Sequence, residues 1–266
     1  MSNNILTIQT VQITPFRTLM TALKDILIET NIIFEKRGIK ICSMDKSHTI
    51  LVHLFLDASK FEKFECEKNK IIICVNMSQL FKVINTIDND DTLTIYIEED
   101  DYHDGIVQNL CLKFENSTIK QFKTQKLRLL DPDPEELNIP SVQYSYIINL
   151  PSTDFQKIIR DLNGLSDKVE ISSVGSELIF KAIGLFAEAE IRRTESDGTL
   201  EFLHKEKTKN NIVQGEFSLK NLIYFIKCTN LCNQIEMYLE NNKPLIIKYN
   251  VASLGELKLC LAPLPC

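Results

Sequence analysis

The sequence predicts an α+β protein made of two similar domains, each with two helices packed on antiparallel sheets. Three observations support this class: short strand-like runs fill most of the chain, only four segments have helical periodicity, and the order of elements in the first half recurs in the second. With 266 residues, of which 44% are hydrophobic, the chain can bury two cores of ordinary domain size.

The predicted strands of the first half are short and follow one another closely. Their apolar residues alternate with polar ones or form brief apolar runs, which is typical of strands buried on at least one face. They cover Ile5–Ile8, Ile32–Phe34, Ile39–Cys42, Ile50–Leu56, Ile71–Val75 and Thr92–Ile97.

Four segments are predicted to be amphipathic helices, because their apolar residues fall on one face at helical spacing. They cover Pro15–Glu29, Asn76–Ile87, Ser152–Leu165 and Ser218–Cys228. On the first helix, the stripe predicted to be buried consists of Phe16, Leu19, Met20, Leu23 and Leu27.

The second half repeats the order of the first: strand, helix, several strands, helix, strands. This duplication predicts an N-terminal domain over residues 1–125 and a C-terminal domain over residues 141–266. Residues 126–140 are predicted to form an extended linker, because Pro132, Pro134 and the carboxylates around them disfavour a helix or a central strand.

Composition and motifs argue against several classes of protein. The eight cysteines include no Cys-x-x-Cys pair, which predicts reduced core thiols and no metal site. The chain has no glycine-rich phosphate loop and no nucleophile elbow, so we predict no catalytic residue, no cofactor and no enzymatic activity. It also lacks a long apolar run and a secretory signal, so a soluble intracellular protein without membrane contact is expected.

The positions of the cations matter more than the formal net charge of −6, which by itself argues against nucleic-acid binding. On the solvent faces of the predicted helices, lysine and arginine outnumber the acids. Two interpretations stay open: these faces contact DNA, or they are the ordinary solvated faces of amphipathic helices. The cations concerned are Arg17, Lys24, Lys82, Lys157, Arg160, Lys220 and Lys227.

Two strand-like segments of opposite charge indicate a possible self-association. Phe122–Arg128 is basic, whereas Phe186–Ile191 has acids at alternate positions. If both are edge strands, they could pair between neighbouring molecules through main-chain hydrogen bonds; alternatively, each is a protected edge or pairs internally. The residues predicted at such a subunit interface are Lys123, Lys126, Arg128, Phe186, Glu188 and Glu190.

Three segments, Ser43–Val52, Leu137–Ser145 and Gly255–Pro263, closely resemble the proliferating cell nuclear antigen (PCNA) family of DNA sliding clamps. The similarity runs in order along nearly the whole chain. It implies the DNA clamp (processivity) fold and a homotrimeric toroidal ring whose helices line the central hole. The seven helix cations match the family's DNA-facing positions, where contacts to phosphates without base recognition would let a ring slide.

The resemblance also implies partners and the place where they bind. A DNA polymerase, a clamp loader, a flap endonuclease and a ligase would insert short motifs with a glutamine and aromatic anchors into a pocket beneath the linker. The matching positions are Met44, His48, Leu51, Leu137, Ile139, Pro140, Pro244, Leu261, Ala262 and Pro263.

Some positions depart from the family pattern. Thr18, Asn85 and Gly164 stand where family members often place a cation or a histidine, which implies a weaker hold on DNA. Gly175 stands where a family lysine carries ubiquitin, so the resemblance does not extend to that regulation. Eukaryotic members imply nuclear localisation, or a cytoplasmic replication compartment if the chain is viral.

Two alternative functions share some of these features. One is a subunit of a heterotrimeric checkpoint-type clamp, which would need unlike partner chains to assemble. The other is a monomeric DNA-binding polymerase accessory factor, held on DNA by charge alone. A hydrolytic or nucleotide-binding enzyme is a more distant third possibility.

Overall fold

A computed structural model describes residues 3–132, 137, 143–206 and 211–265, with the backbone alone at 211–214. The chain forms two compact units. Unit 1 comprises Met1–Lys46, Val52–Asn138 and Val251–Leu257; unit 2 comprises Ser47–Leu51, Ile139–Asn250 and Lys258–Cys266. The main change of unit falls inside the predicted linker, and we keep the predicted domain bounds as a proposal.

The elements of the first half alternate short strands with two helices. Short 3-10 turns lie at Ala58–Lys60 and Glu99–Asp101. In chain order the strands and helices are β1 (Asn4–Thr10), α1 (Ile13–Ile26), β2 (Glu29–Glu35), β3 (Gly38–Met44), β4 (Ile50–Asp57), β5 (Lys63–Cys66), β6 (Lys70–Asn76), α2 (Met77–Ile84), β7 (Thr92–Glu98), β8 (Tyr102–His103), β9 (Ile106–Val107), β10 (Asn109–Asn116) and β11 (Gln121–Arg128).

The strands of unit 1 form antiparallel sheets, as the sequence predicted. One sheet has the order β11-β10-β7-β1-β5, and in another β4, β3, β2 and β6 are successive neighbours. Helix α1 covers the core with four residues of the predicted apolar stripe, and the fifth, Leu27, is buried directly after the helix. Burial of this stripe is a main source of the helix's stability.

The helix bounds differ slightly from the predicted ones. Helix α1 begins at Ile13 and ends at Ile26, because Leu27 is already extended and Glu29 pairs with Asn76 as the first residue of β2. Sheet pairing thus replaces the last helical turn that the periodicity predicted. Pro15 lies in the first turn of α1, where its missing N–H has no intrahelical acceptor to lose.

The second half repeats this plan. A 3-10 segment, Ile226–Leu231, follows its second helix. The strands and helices are β12 (Tyr146–Pro151), α3 (Ser152–Asn163), β13 (Lys168–Val174), β14 (Glu177–Ile183), β15 (Glu188–Thr194), β16 (Glu201–Lys205), β17 (Asn211–Ser218), α4 (Leu219–Phe225), β18 (Gln234–Leu239), β19 (Leu245–Val251) and β20 (Gly255–Leu261).

The strands of unit 2 also form antiparallel sheets. One has the order β15-β14-β13-β17, and in the other β16, β12, β18, β19 and β20 are successive neighbours. The fourth predicted helix ends its α-helical part at Phe225, earlier than the periodicity indicated. The buried hydroxyl of Tyr249 donates a hydrogen bond of 2.9 Å to the Phe225 carbonyl, which a continuing α-helix would use for its own N–H.

The thiols of the described residues fit the reduced state that the sequence predicted. Seven cysteines are free, and four of them, Cys74, Cys111, Cys228 and Cys260, are buried. Burial raises the pKa of the Cys228 thiol far above its usual range, which keeps it protonated. No helix in the described part of the chain is long and apolar enough to cross a membrane.

Candidate nucleic-acid and partner interfaces

The second helix of each unit begins at a side-chain cap. The Asn76 side chain accepts the Gln79 N–H at 3.1 Å at the start of α2, and Ser218 accepts the Asn221 N–H at 3.4 Å at the start of α4. Such caps satisfy one of the free N–H groups at a helix start and fix where the helix begins.

Arg17 of α1 is half-buried and is bonded within unit 1. Its guanidinium donates to the side-chain oxygen of Asn89 at 3.0 Å and to the backbone carbonyl of Ile87. Its Nε atom is buried and makes no hydrogen bond with the described residues. Both acceptors lie just beyond the end of α2, so Arg17 ties α1 to the turn that follows α2.

Lys24 of α1 is also occupied locally. Its ammonium lies 2.8 Å from the Asp25 carboxylate and 4.9 Å from the centre of the Phe81 ring. Lys82 on α2 is exposed and has no ion-pair partner among the residues that the structure describes. Of the three cations that the sequence predicted for this face of unit 1, only Lys82 therefore points freely into solvent.

The cations of unit 2 are more accessible. All four predicted ones are exposed: Lys157, Arg160, Lys220 and Lys227. Lys227 lies over the Tyr224 ring at 5.4 Å. The other three have no ion-pair partner in the described part of unit 2.

An ion pair that the sequence did not predict increases this difference. Asp154 in the first turn of α3 is paired with Arg193 of strand β15. Asp154 lies three residues before Lys157, a spacing at which it could otherwise pair with that lysine. Arg193 thus neutralises the acid that stands nearest to Lys157 along the helix, and no charge pattern local to α3 could have indicated it.

Strand β11 lies at one edge of its sheet among the described residues, which meets one of the two conditions that the sequence set for pairing between molecules. Its exposed side chains alternate along the strand: Phe122, Thr124, Lys126 and Arg128. Phe122 is 68% exposed, which is unusual for a large aromatic side chain. Arg128 has no ion-pair partner among the described residues.

The two lysines of β11 are already bonded within unit 1. Lys123 donates to the Thr86 hydroxyl at 2.8 Å. Lys126 lies 2.8 Å from Asp101 and 3.4 Å from Glu98. Burial would raise the pKa of Asp101, but the hydrogen bonds from Lys126 and Asn109 outweigh it and hold the pKa of Asp101 below its usual value.

These same carboxylates form the one group in the described residues with several possible metal ligands close together. Glu98, Asp101 and Cys111 place ligand atoms within 4.8 Å of one another. The ammonium of Lys126 already supplies positive charge there, and burial raises the pKa of the Cys111 thiol, which opposes the thiolate that a metal needs. The residues therefore fit an ion-pair network better than a metal site.

Strand β15 is the edge of its own sheet in the described part of unit 2. Glu188, Glu190, Arg192 and Thr194 form its exposed row. Glu190 is paired with Arg192 at 2.6 Å, whereas Glu188 has no partner among the described residues. Just before the strand, Phe186 is 77% exposed, so this edge also combines an accessible acid with an exposed aromatic ring.

Several of the predicted partner-binding positions come together within unit 2. The Ala262 N–H donates to the Thr49 carbonyl at 3.0 Å, which places Ala262 and Pro263 beside the segment that contains His48 and Leu51. Ala262, Pro263 and His48 are exposed, and Leu51 is half-buried. The side chain of Leu261 is 1% exposed and belongs to the core, where it supports this surface from below.

Pro244 is exposed in the same unit and lies near two aromatic rings. Its carbonyl accepts the Tyr144 hydroxyl at 3.2 Å, and the Tyr144 ring packs edge-on against Tyr238 with ring centres 5.7 Å apart. Burial raises the pKa of Tyr144 to about 12, so the hydroxyl stays protonated and donates at neutral pH. The sequence prediction did not include either tyrosine.

The remaining predicted partner positions lie elsewhere. Met44, at the end of β3, and Leu137 belong to unit 1 and are 37% and 36% exposed. Ile139 and Pro140 lie outside the described residues.

Comparison with known proteins places the whole chain in one family. Residues 5–136 match the family model for the proliferating cell nuclear antigen N-terminal domain, and residues 138–264 match that for its C-terminal domain. A curated relative described as a probable DNA polymerase sliding clamp, from Acanthamoeba polyphaga mimivirus, is 31% identical over 228 residues. The match covers 85% of this chain and 47% of the relative, so the chain spans about half the length of that protein.

A solved structure supports the same assignment at the level of the fold. The crystal structure of proliferating cellular nuclear antigen from Entamoeba histolytica is similar with a TM-score of 0.86. The sequences are 24% identical, and the match covers 99% of this chain and 100% of that one. With both domain models matched in order, the chain belongs to the proliferating cell nuclear antigen family of non-enzymatic DNA sliding clamps.

Proposed function

We propose that this chain is a DNA sliding clamp that encloses duplex DNA and tethers a DNA polymerase to it. The observation that carries the proposal is the pair of family domains, each with cations on the outer faces of its helices, in a chain of net charge −6. Cations concentrated on one kind of surface attract phosphates without base recognition, which is what a protein that slides along DNA requires.

Enclosure requires that copies of the chain close a ring, and we propose a homotrimer. The edge strands β11 and β15 favour it: one carries Lys126 and Arg128, the other Glu188 and Glu190. The two cations and the two acids are each two residues apart on their strands. Whether the strands pair parallel or antiparallel, one register therefore places both cations opposite both acids. A contact between different edges is head-to-tail, and such contacts close into rings when the rotation between copies allows it.

The exposed aromatic rings at these edges support the same proposal. Phe122 and Phe186 are 68% and 77% exposed in the single chain, and an assembly would remove them from water. Arg128 and Glu188 provide the charge match, because each lacks a partner among the described residues. A ring built this way would be nuclear, or would lie in a cytoplasmic replication compartment if the chain is viral.

Partner enzymes are proposed to dock on the surface of unit 2 formed by His48, Pro244, Ala262 and Pro263. Its exposed prolines and alanine, together with the half-buried Tyr144, suit a short peptide with aromatic anchors. The proposed partners are a DNA polymerase, a clamp loader, a flap endonuclease and a ligase. Tethering would raise the local concentration of each at the DNA.

The experiment that tests the function compares linear duplex DNA with free ends, the same DNA with a bulky protein bound at each end, and a covalently closed circle. A closed ring can enter only over free ends, so at equilibrium the unloaded protein should associate with the first DNA and be largely absent from the other two. Equal retention on all three DNAs would contradict enclosure and favour a factor held by charge alone.

A further inference from the structure

The first helices of the two units correspond position by position. Phe16 of α1 and Phe155 of α3 are 5% and 0% exposed and anchor their helices in the two cores. With these phenylalanines as equivalent positions, the residue that follows each is also equivalent. Arg17 in unit 1 therefore corresponds to Gln156 in unit 2.

These two equivalent residues make the same kind of contact. Arg17 donates to the carbonyl of Ile87, just beyond α2. The side-chain amide of Gln156 donates at 3.2 Å to the carbonyl of Ile226, at the end of α4. Each first helix is thus tied to the end of the second helix through the same position, with a charged side chain in unit 1 and a neutral one in unit 2.

The next exposed positions show the reverse distribution of charge. In unit 2 these positions hold Lys157 and Arg160, which are exposed and have no ion-pair partner among the described residues. Their counterparts in unit 1 are Thr18 and Thr21, whose hydroxyls bond back to carbonyls one turn earlier in α1, at 3.0 and 2.8 Å. Unit 1 thus has its cation in the internal contact and threonines where unit 2 has cations.

We infer that this chain holds duplex DNA mainly through the helix cations of unit 2, and that Arg17 is a positioning residue that ties α1 to the turn after α2. The inference rests on the proposed clamp function, since it divides the phosphate contacts of that function between the two units. Lys157, Arg160, Lys220 and Lys227 provide these contacts in unit 2. Of the three predicted helix cations of unit 1, all of which the structure describes, only Lys82 is exposed.

The contacts of Arg17 explain why it cannot serve both purposes. To reach a phosphate, its guanidinium would have to leave both Asn89 and the carbonyl of Ile87. Ile87 itself is 2% exposed, and a polar group left unpaired in such surroundings is costly. Lys157 and Arg160 are exposed to solvent, so binding a phosphate would not leave any protein group unpaired.

The test is the salt dependence of association with linear duplex DNA that has free ends. Four proteins are compared: wild type, Arg17→Gln, the double variant Lys157→Gln/Arg160→Gln, and the double variant Thr18→Lys/Thr21→Arg. The slope of log affinity against log salt, measured over roughly 50 to 200 mM, counts the phosphate contacts. Light-scattering mass checks that every variant assembles as wild type does, and thermal unfolding monitors its stability.

We expect Arg17→Gln to keep the wild-type slope while its unfolding temperature falls. Lys157→Gln/Arg160→Gln should reduce the slope by about one for each phosphate contact that is lost, with little change in unfolding temperature. Thr18→Lys/Thr21→Arg should increase the slope, because it gives α1 the exposed cations of α3. This gain of binding cannot arise from misfolding.

Two results would overturn the inference while leaving the clamp function intact. The first is a loss of slope in Arg17→Gln equal to that of the unit 2 variant. The second is an unchanged slope in an assembled Thr18→Lys/Thr21→Arg. Failure of the proposed function itself would look different, because the wild-type protein would then not depend on free DNA ends.

Discussion

Units 1 and 2 have the same plan of helices and strands but place their charges differently. In unit 1 two of the three predicted helix cations, Arg17 and Lys24, are engaged in contacts within the unit. In unit 2 all four are exposed. A duplicated fold therefore fixes where helices and strands lie, while single substitutions on the helix surfaces decide how many exposed cations each copy carries.

The sheet edges differ in the same way. Unit 1 ends one of its sheets with the basic strand β11, and unit 2 ends one of its sheets with β15, which begins with the acids Glu188 and Glu190 and continues with Arg192 and Arg193. Two identical units would have identical edges, and like charges would then oppose pairing between copies. Opposite edges instead favour head-to-tail contacts and disfavour contacts between two copies of the same edge.

The largest expected effect tests the difference between the two edges. Arg128→Glu and Glu188→Arg each place like charges across the proposed contact, a change that costs several kcal/mol. We expect the mass from light scattering to fall from three times 30.6 kDa to that of one chain in either variant.

The matched control is the double variant Arg128→Glu/Glu188→Arg, which exchanges these two charges and restores an opposite pair where the two residues face each other, as they do when the edges pair antiparallel. It should regain the wild-type mass. If the double variant stays as small as the single ones, the charge match between the edges does not hold the assembly together.

The next effect compares the two helix ties. Arg17→Ala removes the hydrogen bonds that a charged guanidinium donates to two acceptors. We therefore expect the free energy of unfolding to fall by about 1 to 3 kcal/mol. Gln156→Ala removes one neutral hydrogen bond and should cost roughly 0.5 to 1.5 kcal/mol. Urea denaturation measures both, with Lys157→Ala as the control, whose effect should stay within about 0.5 kcal/mol. A cost for Lys157→Ala as large as that for Arg17→Ala would contradict the different roles of the two cations.

The pH dependence of stability distinguishes the ion pair between Asp101 and Lys126 in unit 1 from the one between Glu177 and Arg192 in unit 2. The pKa of Asp101 is lowered in the folded protein, so its contribution to stability is present above about pH 4 and is lost as the pH falls through the folded pKa. Asp101→Asn should therefore lower the free energy of unfolding at pH 7, by roughly 1 to 2 kcal/mol. The difference from wild type should shrink in acid.

The control in unit 2 is Glu177→Gln, which removes an exposed partner of Arg192. Exposed pairs contribute little, so its effect at pH 7 should be smaller than that of Asp101→Asn. Urea titrations at several pH values measure both variants. An Asp101→Asn deficit that does not shrink in acid would show that the lost stability does not come from the charge of Asp101.

The smallest expected effect compares the two helix caps. Asn76→Ala and Ser218→Ala each remove the acceptor for one N–H at a helix start, which typically costs about 1 kcal/mol. The cap bond is 3.1 Å long for Asn76 and 3.4 Å for Ser218, so we expect the larger loss for Asn76→Ala. Thermal unfolding measures the two losses, and a clearly larger loss for Ser218→Ala would contradict this ranking.

Much of the fold could be predicted because periodicity and burial agree. The stripe from Phe16 to Leu27 has helical spacing, and all of its predicted residues are buried. The helix ends were less predictable, since Glu29 pairs with Asn76 as part of strand β2 and the Tyr249 hydroxyl donates a hydrogen bond to the Phe225 carbonyl. Both competing contacts come from residues distant in the sequence.

The functional surfaces were predictable only in part, for a similar reason. Sequence spacing placed Arg17 on the same face as Lys24 but could not show that Ile87 and Asn89 would occupy its guanidinium. The duplicated sequence did contain one signal: Arg17 follows Phe16 just as Gln156 follows Phe155. This match could have indicated that Arg17 and Gln156 share a structural role. The pairing of Asp154 with Arg193 had no local signal.

The central claim is that copies of this chain join through unlike edges into a closed ring of three. The most direct measurement is the light-scattering mass of the purified protein across a dilution series. We predict three times the chain mass of 30.6 kDa, constant until dissociation at high dilution. A mass of one chain at every concentration would contradict the homotrimer and favour a subunit that needs unlike partners or a factor held on DNA by charge.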